Sequence, residues 1–195
     1  MDDLVREKEK GFDSEYLNDV LDKKVEVGDK YQTPGFGLAA QLFSTVAKHV
    51  IEKIGPEKGE KLLKEAVEEF GYMRGISIAN KVKAENKPLT FKNWLIYTDI
   101  DSLKNFRPIT SIPNADFLVK VKHCTFYNAA EEWGLGEFAK IYCKYVDYKI
   151  LEGYNSAIKL QLEPRQFTGK NRCVFRYIMK EENKLKPKKN GDFTE

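Results

Sequence analysis

The sequence predicts an α+β fold, with N-terminal helices packed on an antiparallel sheet and one helix inserted between strands. Three observations carry this. Apolar residues recur at three and four positions between Phe36 and Lys83. From Ala115 the period changes to two. A single return to helical period, over 135–151, then divides the alternating runs.

Residues 1–33 carry dense charge of both signs and read as a helical lead-in, with Ser14 a candidate cap before Tyr16, Leu17, Val20 and Leu21. Pro34-Gly35 breaks the chain. A helix is expected over 36–54, with Leu38, Leu42, Phe43, Val46, Ala47, Val50, Ile51 and Ile54 on its inward stripe. Gly55-Pro56 ends it and opens the next, because proline suits the first helical position. That second helix runs over 56–83, with Leu62, Leu63, Ala66, Val67, Phe70 and Met73 inward. Over 88–114 two readings stand: a short helix capped by Thr90, or a strand through Trp94-Leu95-Ile96-Tyr97-Thr98. From 115, Phe117, Val119, Val121 and His123 share one strand face, with Lys120 and Lys122 on the other. The inserted helix, 135–151, turns Leu135, Phe138, Ala139, Tyr142, Val146 and Ile150 inward, and Gly153 suits its C-terminal cap. Two closing strands follow. Ser156, Ile158, Leu160 and Leu162 share a face of the first, and Cys173, Phe175, Tyr177 and Met179 of the second, with a hairpin turn at 168–171. Residues 34–180 read as one domain, and the polar, basic stretch 181–195 as a disordered tail.

Composition removes several function classes. The 195 residues suffice for a core without staples, and a 42% hydrophobic, 32% charged content is globular. A net charge of +3 from 33 basic and 30 acidic residues gives no electrostatic case for nucleic acid. The three cysteines, Cys124, Cys143 and Cys173, are widely spaced, which indicates neither a zinc finger nor a disulfide framework and suits a reducing, cytoplasmic setting. No signal peptide and no membrane span is expected. GxGxxG after a strand, P-loop, HExxH and GxSxG patterns are missing from the sequence.

Five residues invite chemistry. Arg74 falls inside the apolar stripe of its helix, between Gly71 and Gly75, which leave open space beside the backbone. It needs an anion, either an internal Asp or Glu or a ligand carboxylate that its planar fork would clamp. Cys143 and Asp147 are stacked neighbours on the inserted helix, with Tyr154 in the same column. An acid beside a thiol raises the thiol pKa, so Asp147 suits general-base work better than Cys143 suits a thiolate. His123, one of two histidines, is either a satisfied core residue or the proton shuttle, and alternation sends Cys124 to the opposite face. Cys173 points inward as a core thiol or site wall. The ligand types of His123, Cys143, Asp147 and Cys173 suit zinc, but their spacing does not support a metal, and no cofactor is expected.

The stretch Phe70-Gly71-Tyr72-Met73-Arg74-Gly75 resembles the Gly-x-x-Arg-Gly signature of the L-2-amino-thiazoline-4-carboxylic acid hydrolase family. Gly136-Glu137-Phe138 with Tyr142-Cys143 and Asp147 is similar to that family's inserted helix, Gly153-Tyr154-Asn155 to the segment after it, and Gly169 through Phe175 to its closing hairpin. Lys170 and Thr125 depart from the pattern and bear on substrate rather than fold. The resemblance implies hydrolytic opening of a cyclic amidine beside a thioether. Asp147 would then be the base, His123 the acid, and Cys143 a site wall or nucleophile. Arg74 would hold the substrate carboxylate, Tyr154 or Asn155 would orient it, and Cys173 would line the site. The order of elements is also similar to 4-vinyl reductase-type ligand-binding domains, which keeps a non-catalytic sensor or carrier as the alternative. A scaffold role would need an exposed apolar patch, for which Trp94-Leu95-Ile96-Tyr97 is the candidate. The expected partner is a small-molecule substrate, and a homodimer stays open.

Overall fold

The computed structural model describes residues 2–31, 35–163 and 172–184. The expected hairpin turn at 168–171 and most of the expected tail lie outside the described residues. Helix α1 (Asp3–Lys10) is capped by the Asp2 side chain, and α2 (Val20–Tyr31) follows a turn. Ser14 lies in that turn, well before the first residue of α2, so it caps neither helix. Next come α3 (Phe36–Ile54), α4 (Pro56–Ala84), α5 (Phe91–Tyr97) and α6 (Ser102–Phe106). Thr90 caps α5 by accepting from the Asn93 amide at 3.1 Å, which decides for helix over strand in that stretch. After β1 (Ile109–Ser111), β2 (Phe117–Val121), α7 (Thr125–Glu132), α8 (Gly136–Asn155), β3 (Lys159–Glu163) and β4 (Cys173–Ile178), a short α9 (Glu181–Lys184) closes the described chain.

The sheet is antiparallel throughout, in the order β1-β2-β4-β3. Its register pairs Phe117 with Tyr177, Val119 with Phe175, Val121 with Cys173 and Leu162 with Phe175. Directly paired residues project to the same side, so these seven form one apolar face, and α8 crosses it. The predicted α+β class holds, with α7 and α8 both inserted between β2 and β3.

Helices α4 and α8 form the centre of the molecule, and their glycines set how closely they cross. A Cβ at Gly75 would meet the Ile150 carbonyl oxygen at 2.1 Å, and one at Gly153 would meet the Tyr72 carbonyl oxygen at 2.3 Å. The space beside Gly71 and Gly75 is therefore filled by the backbone of α8, and Gly153 is a helix-interior contact rather than a cap. This crossing rotates α4 away from its expected orientation. Leu63, Val67, Gly71, Gly75, Ile78 and Val82 are buried, while Leu62, Phe70 and Met73 are exposed. Helix α3 likewise buries its small residues Ala40, Ser44 and Ala47 and exposes Leu38, Leu42 and Val46. Small side chains permit the close approach, and the larger ones are displaced outward.

Candidate active site

A cavity of about 470 Å³ opens between the apolar face of the sheet, α8, α5, α6 and α2. That volume suits a drug-sized ligand. Phe117, Val119, Val121, Phe175 and Leu162 form its sheet wall, and Leu17, Val20 and Leu21 a wall from the N-terminal segment. Trp94 and Leu95 face it from α5, while Ile96 and Tyr97 are buried. The expected exposed patch is thus an inward-facing wall.

Helix α8 supplies the chemistry. Tyr142, Cys143, Val146, Asp147 and Ile150 line the cavity together because their spacing returns them to one side of the helix. Asp147 has no hydrogen-bond or ion-pair partner among the described residues. Burial pushes its carboxyl up from 3.8 to about 6, opposed by the field of Arg74. Cys143 sits one turn earlier, and burial pushes its thiol well above the ordinary value, with Cys124 and Asp147 adding to the rise. Cys124 also lines the cavity, and burial raises it to about 11. Cys173 completes the group, so every cysteine of the chain borders one space. Among the described residues none of the three is in a disulfide. Among the described residues no group of three His, Cys, Asp or Glu is arranged to hold a metal ion.

Arg74 reaches the same cavity already paired. Its Nε and Nη2 donate to the Asp99 carboxylate at 2.8 and 2.6 Å, and its Nη1 donates to the Tyr142 hydroxyl at 2.8 Å. This fork is the internal ion pair among the readings the sequence left open. Burial works against the guanidinium charge, but the Asp99 hydrogen bonds and the nearby Tyr142 and Asp147 outweigh it and raise the pKa. Tyr142 is fixed on its other side by Phe126, whose ring stacks on it with centroids 4.2 Å apart.

Three sequence expectations meet a different arrangement. His123 is not on β2: the strand ends at Val121, the chain bends at Lys122, and the His123 Nδ1 lies 3.1 Å from the Asn128 amide nitrogen. Alternation stops at that bend, so Cys124 lines the cavity and His123 does not. Tyr154 is buried and donates its hydroxyl to the Thr90 carbonyl at 2.7 Å. Asn155 donates to the Leu89 carbonyl at 2.6 Å and accepts from the Ala157 amide at 2.9 Å. Both tie the end of α8 to the segment before α5 and neither borders the cavity.

Sequence reasoning did not single out Asp99, Cys124 or Lys24 as site residues. Nothing in the sequence marks Asp99 as the partner of Arg74. Lys24 had a signal of the kind that marked Arg74: it continues the spacing of Leu17, Val20 and Leu21 on an apolar stripe.

A largely apolar cavity with, among the described residues, an unpartnered and raised carboxyl is the kind of place where small ligands bind and protons are exchanged. The description of the L-2-amino-thiazoline-4-carboxylic acid hydrolase family matches residues 35–177, and the chain belongs to that family. No curated protein and no solved structure gives a significant match. No helix among the described residues is long and apolar enough to cross a membrane.

Proposed function

We propose that the chain hydrolyses a small cyclic amidine carboxylate of the thiazoline type, with Asp147 moving the protons. The observation that carries this reading is the unpartnered Asp147 carboxyl, held near 6 inside an apolar cavity. A base near that value is mostly ionised at neutral pH and still accepts a proton readily.

Asp147 takes a proton from water, and the oxygen bonds to the ring carbon between nitrogen and sulfur. The ring nitrogen keeps a proton as the carbon becomes tetrahedral. The amidine enters in its protonated form; as the carbon–sulfur bond then breaks, the added hydroxyl becomes the carbonyl and releases its proton to solvent, and the sulfur takes the proton held by Asp147. One water is consumed, and the product carries a carbamoyl group and a free thiol. Asp147 serves as acid as well as base in this sequence, because His123 stands off the cavity wall. Arg74, already engaged by Asp99 and Tyr142, acts through its field, which favours the ionised form of Asp147. Cys143 and Cys173 line the site in this reading, Cys143 as a protonated thiol. A cytoplasmic setting suits cysteines that stand outside disulfides.

The test is incubation with 2-amino-thiazoline-4-carboxylate, following thiol release colorimetrically and the mass gain of one water. No thiol and no mass gain under any condition that keeps the chain folded would sink the hydrolase. The size and apolar walls of the cavity favour a second reading, a ligand-binding sensor or carrier. That reading requires a ligand that raises the melting temperature and is recovered unchanged.

A further inference from the structure

The cavity is bordered by another cation, from a segment that precedes the family match. Lys24 on α2 is only 5% exposed and lines the cavity. Its ammonium donates to the Leu95 carbonyl at 3.1 Å and to the Thr98 hydroxyl. Both partners are neutral. Among the described residues no carboxylate lies within ion-pair distance of it.

The two acids whose charge it feels most, Asp101 and Asp99, are engaged elsewhere. Asp99 gives both oxygens to Arg74, and Asp101 caps α6 by accepting from the Lys104 amide at 3.0 Å. A buried ammonium with neutral partners is costly, and burial pulls this one down to about 8. The ammonium has three donors, and among the described residues two of them are used.

We infer that Lys24 is the anion-binding residue of the cavity, so that helix α2 completes the site and seats the carboxylate of the ligand. The clause that the anion is a ring carboxylate rests on the hydrolase reading above. Polar contacts lead from Lys24 to Thr98, next to Asp99 in the chain, and from Asp99 to Arg74, whose field reaches Asp147. Strands β2, β3 and β4 line the cavity mostly with apolar side chains, among them Phe117, Val119, Leu162 and Phe175. A fitting ligand is therefore an acid at the Lys24 end, with a hydrogen-bond-donating amidine turned toward Asp147. Helix α2 is held for this task by the Lys92–Asp19 ion pair at 2.7 Å. Just before it in the chain, α1 is held by Glu7, which accepts from the Phe91 and Lys92 amides at 2.7 and 2.9 Å.

The test uses two probes, 2-amino-thiazoline-4-carboxylate and 2-amino-thiazoline, which lacks the carboxylate. Their affinities are measured by calorimetry in an Asp147→Asn background, where turnover does not interfere, with Lys24 intact and as Lys24→Met. Lys24→Met is expected to weaken the carboxylate probe about ten- to a hundredfold and to leave the uncharged-tail probe within about twofold. Lys24→Arg should recover most of the loss, and Lys24→Gln serves if the methionine variant does not fold. Equal affinity for the carboxylate probe with and without Lys24, or no binding of either probe to the intact cavity, overturns the inference. The thiol-release assay is read separately with Asp147 intact. Turnover that ignores Lys24 removes Lys24 and keeps the hydrolase. Lys24-dependent binding without turnover does the reverse.

Discussion

The two faces of the sheet each meet a carboxylate withdrawn from water, and they treat it in opposite ways. On the outer face Asp116 is fully buried. It accepts from the Arg176 Nε at 2.7 Å and from the Asn183 amide at 2.9 Å, and Arg176 Nη2 adds an ion pair at 2.5 Å. On the inner face Asp147 borders the cavity with no such partner among the described residues, and its carboxyl rises to about 6. A buried charge with complete hydrogen bonding holds structure, whereas a carboxyl left unpaired in a cavity is poised to exchange a proton. The same contrast recurs within the cavity wall, where Asp99 is tied by Arg74. Asp99 and Asp147 border the same cavity, so it is their partners, not their place, that separate them.

The sharpest way to break the comparison is Asp147→Asn. Turnover should fall about 10²- to 10⁴-fold, as loss of a general base implies. The fold should survive and gain stability at pH 8. The sign follows from the raised pKa. With a folded value of about 6 against 3.8, stability is full below pH 4 and lost as pH rises through 6. Removing the group removes that loss, worth about 2 kcal/mol after allowing for partial exposure to the cavity. For the intact chain, kcat/KM should rise through about pH 6 and then level off, and a rate without this limb would remove Asp147 as base. Asp116→Ala should do the opposite. It removes the buried carboxylate that faces the Arg176 guanidinium and should cost about 3–5 kcal/mol of stability, seen in a denaturant melt, while any folded fraction turns over normally. Loss of activity without loss of stability at Asp116 would erase the distinction between the two faces.

Much of the fold follows from periodicity. The bounds of α3, most of α4 and the two-residue alternation of β2 and β4 are written in where the apolar residues fall, whereas Ser156 and Ile158 precede β3 because α8 runs on to Asn155. What periodicity misjudged was rotation. Leu38, Leu42 and Phe70 were as apolar as a core stripe requires, yet the glycines of α4 and α8 and the small residues of α3 decide which faces meet. Close backbone approach outweighs side-chain size there, and a pattern of hydrophobicity does not register it. In the site, the stacking of Cys143 and Asp147 was legible because both lie on one helix. The Arg74–Asp99 pair and the inward turn of Cys124 were not, because each depends on how separate elements meet or where a strand bends.

Glu7 extends the comparison to a third buried acid, with partners of an intermediate kind. It accepts two backbone amides of α5 and the Tyr16 hydroxyl, yet burial still raises it from 4.5 to about 7. Its contribution is full below pH 4.5 and fades as pH rises through 7. Glu7→Gln should therefore cost about 1–3 kcal/mol at pH 5, with the gap to the unaltered chain narrowing by pH 8. A gap that widens with pH would mean that the amides hold Glu7 ionised and that it belongs with Asp116.

The smallest effect is expected at Cys143, and that smallness is informative. Cys143 is one turn from Asp147 and borders the same cavity, so position alone makes it a candidate nucleophile. Its thiol is pushed well above the ordinary value, first by burial and then by Cys124 and Asp147. An acid near 6 is a poor base for such a thiol, whereas water needs only partial proton removal as its oxygen attacks. Cys143→Ala should thus change turnover by less than about threefold, against the losses of 10² or more that follow removal of a covalent nucleophile. A large loss at Cys143, with a thioester-like adduct trapped on the intact chain, would transfer the attacking atom from water to sulfur and leave Asp147 to serve the second step.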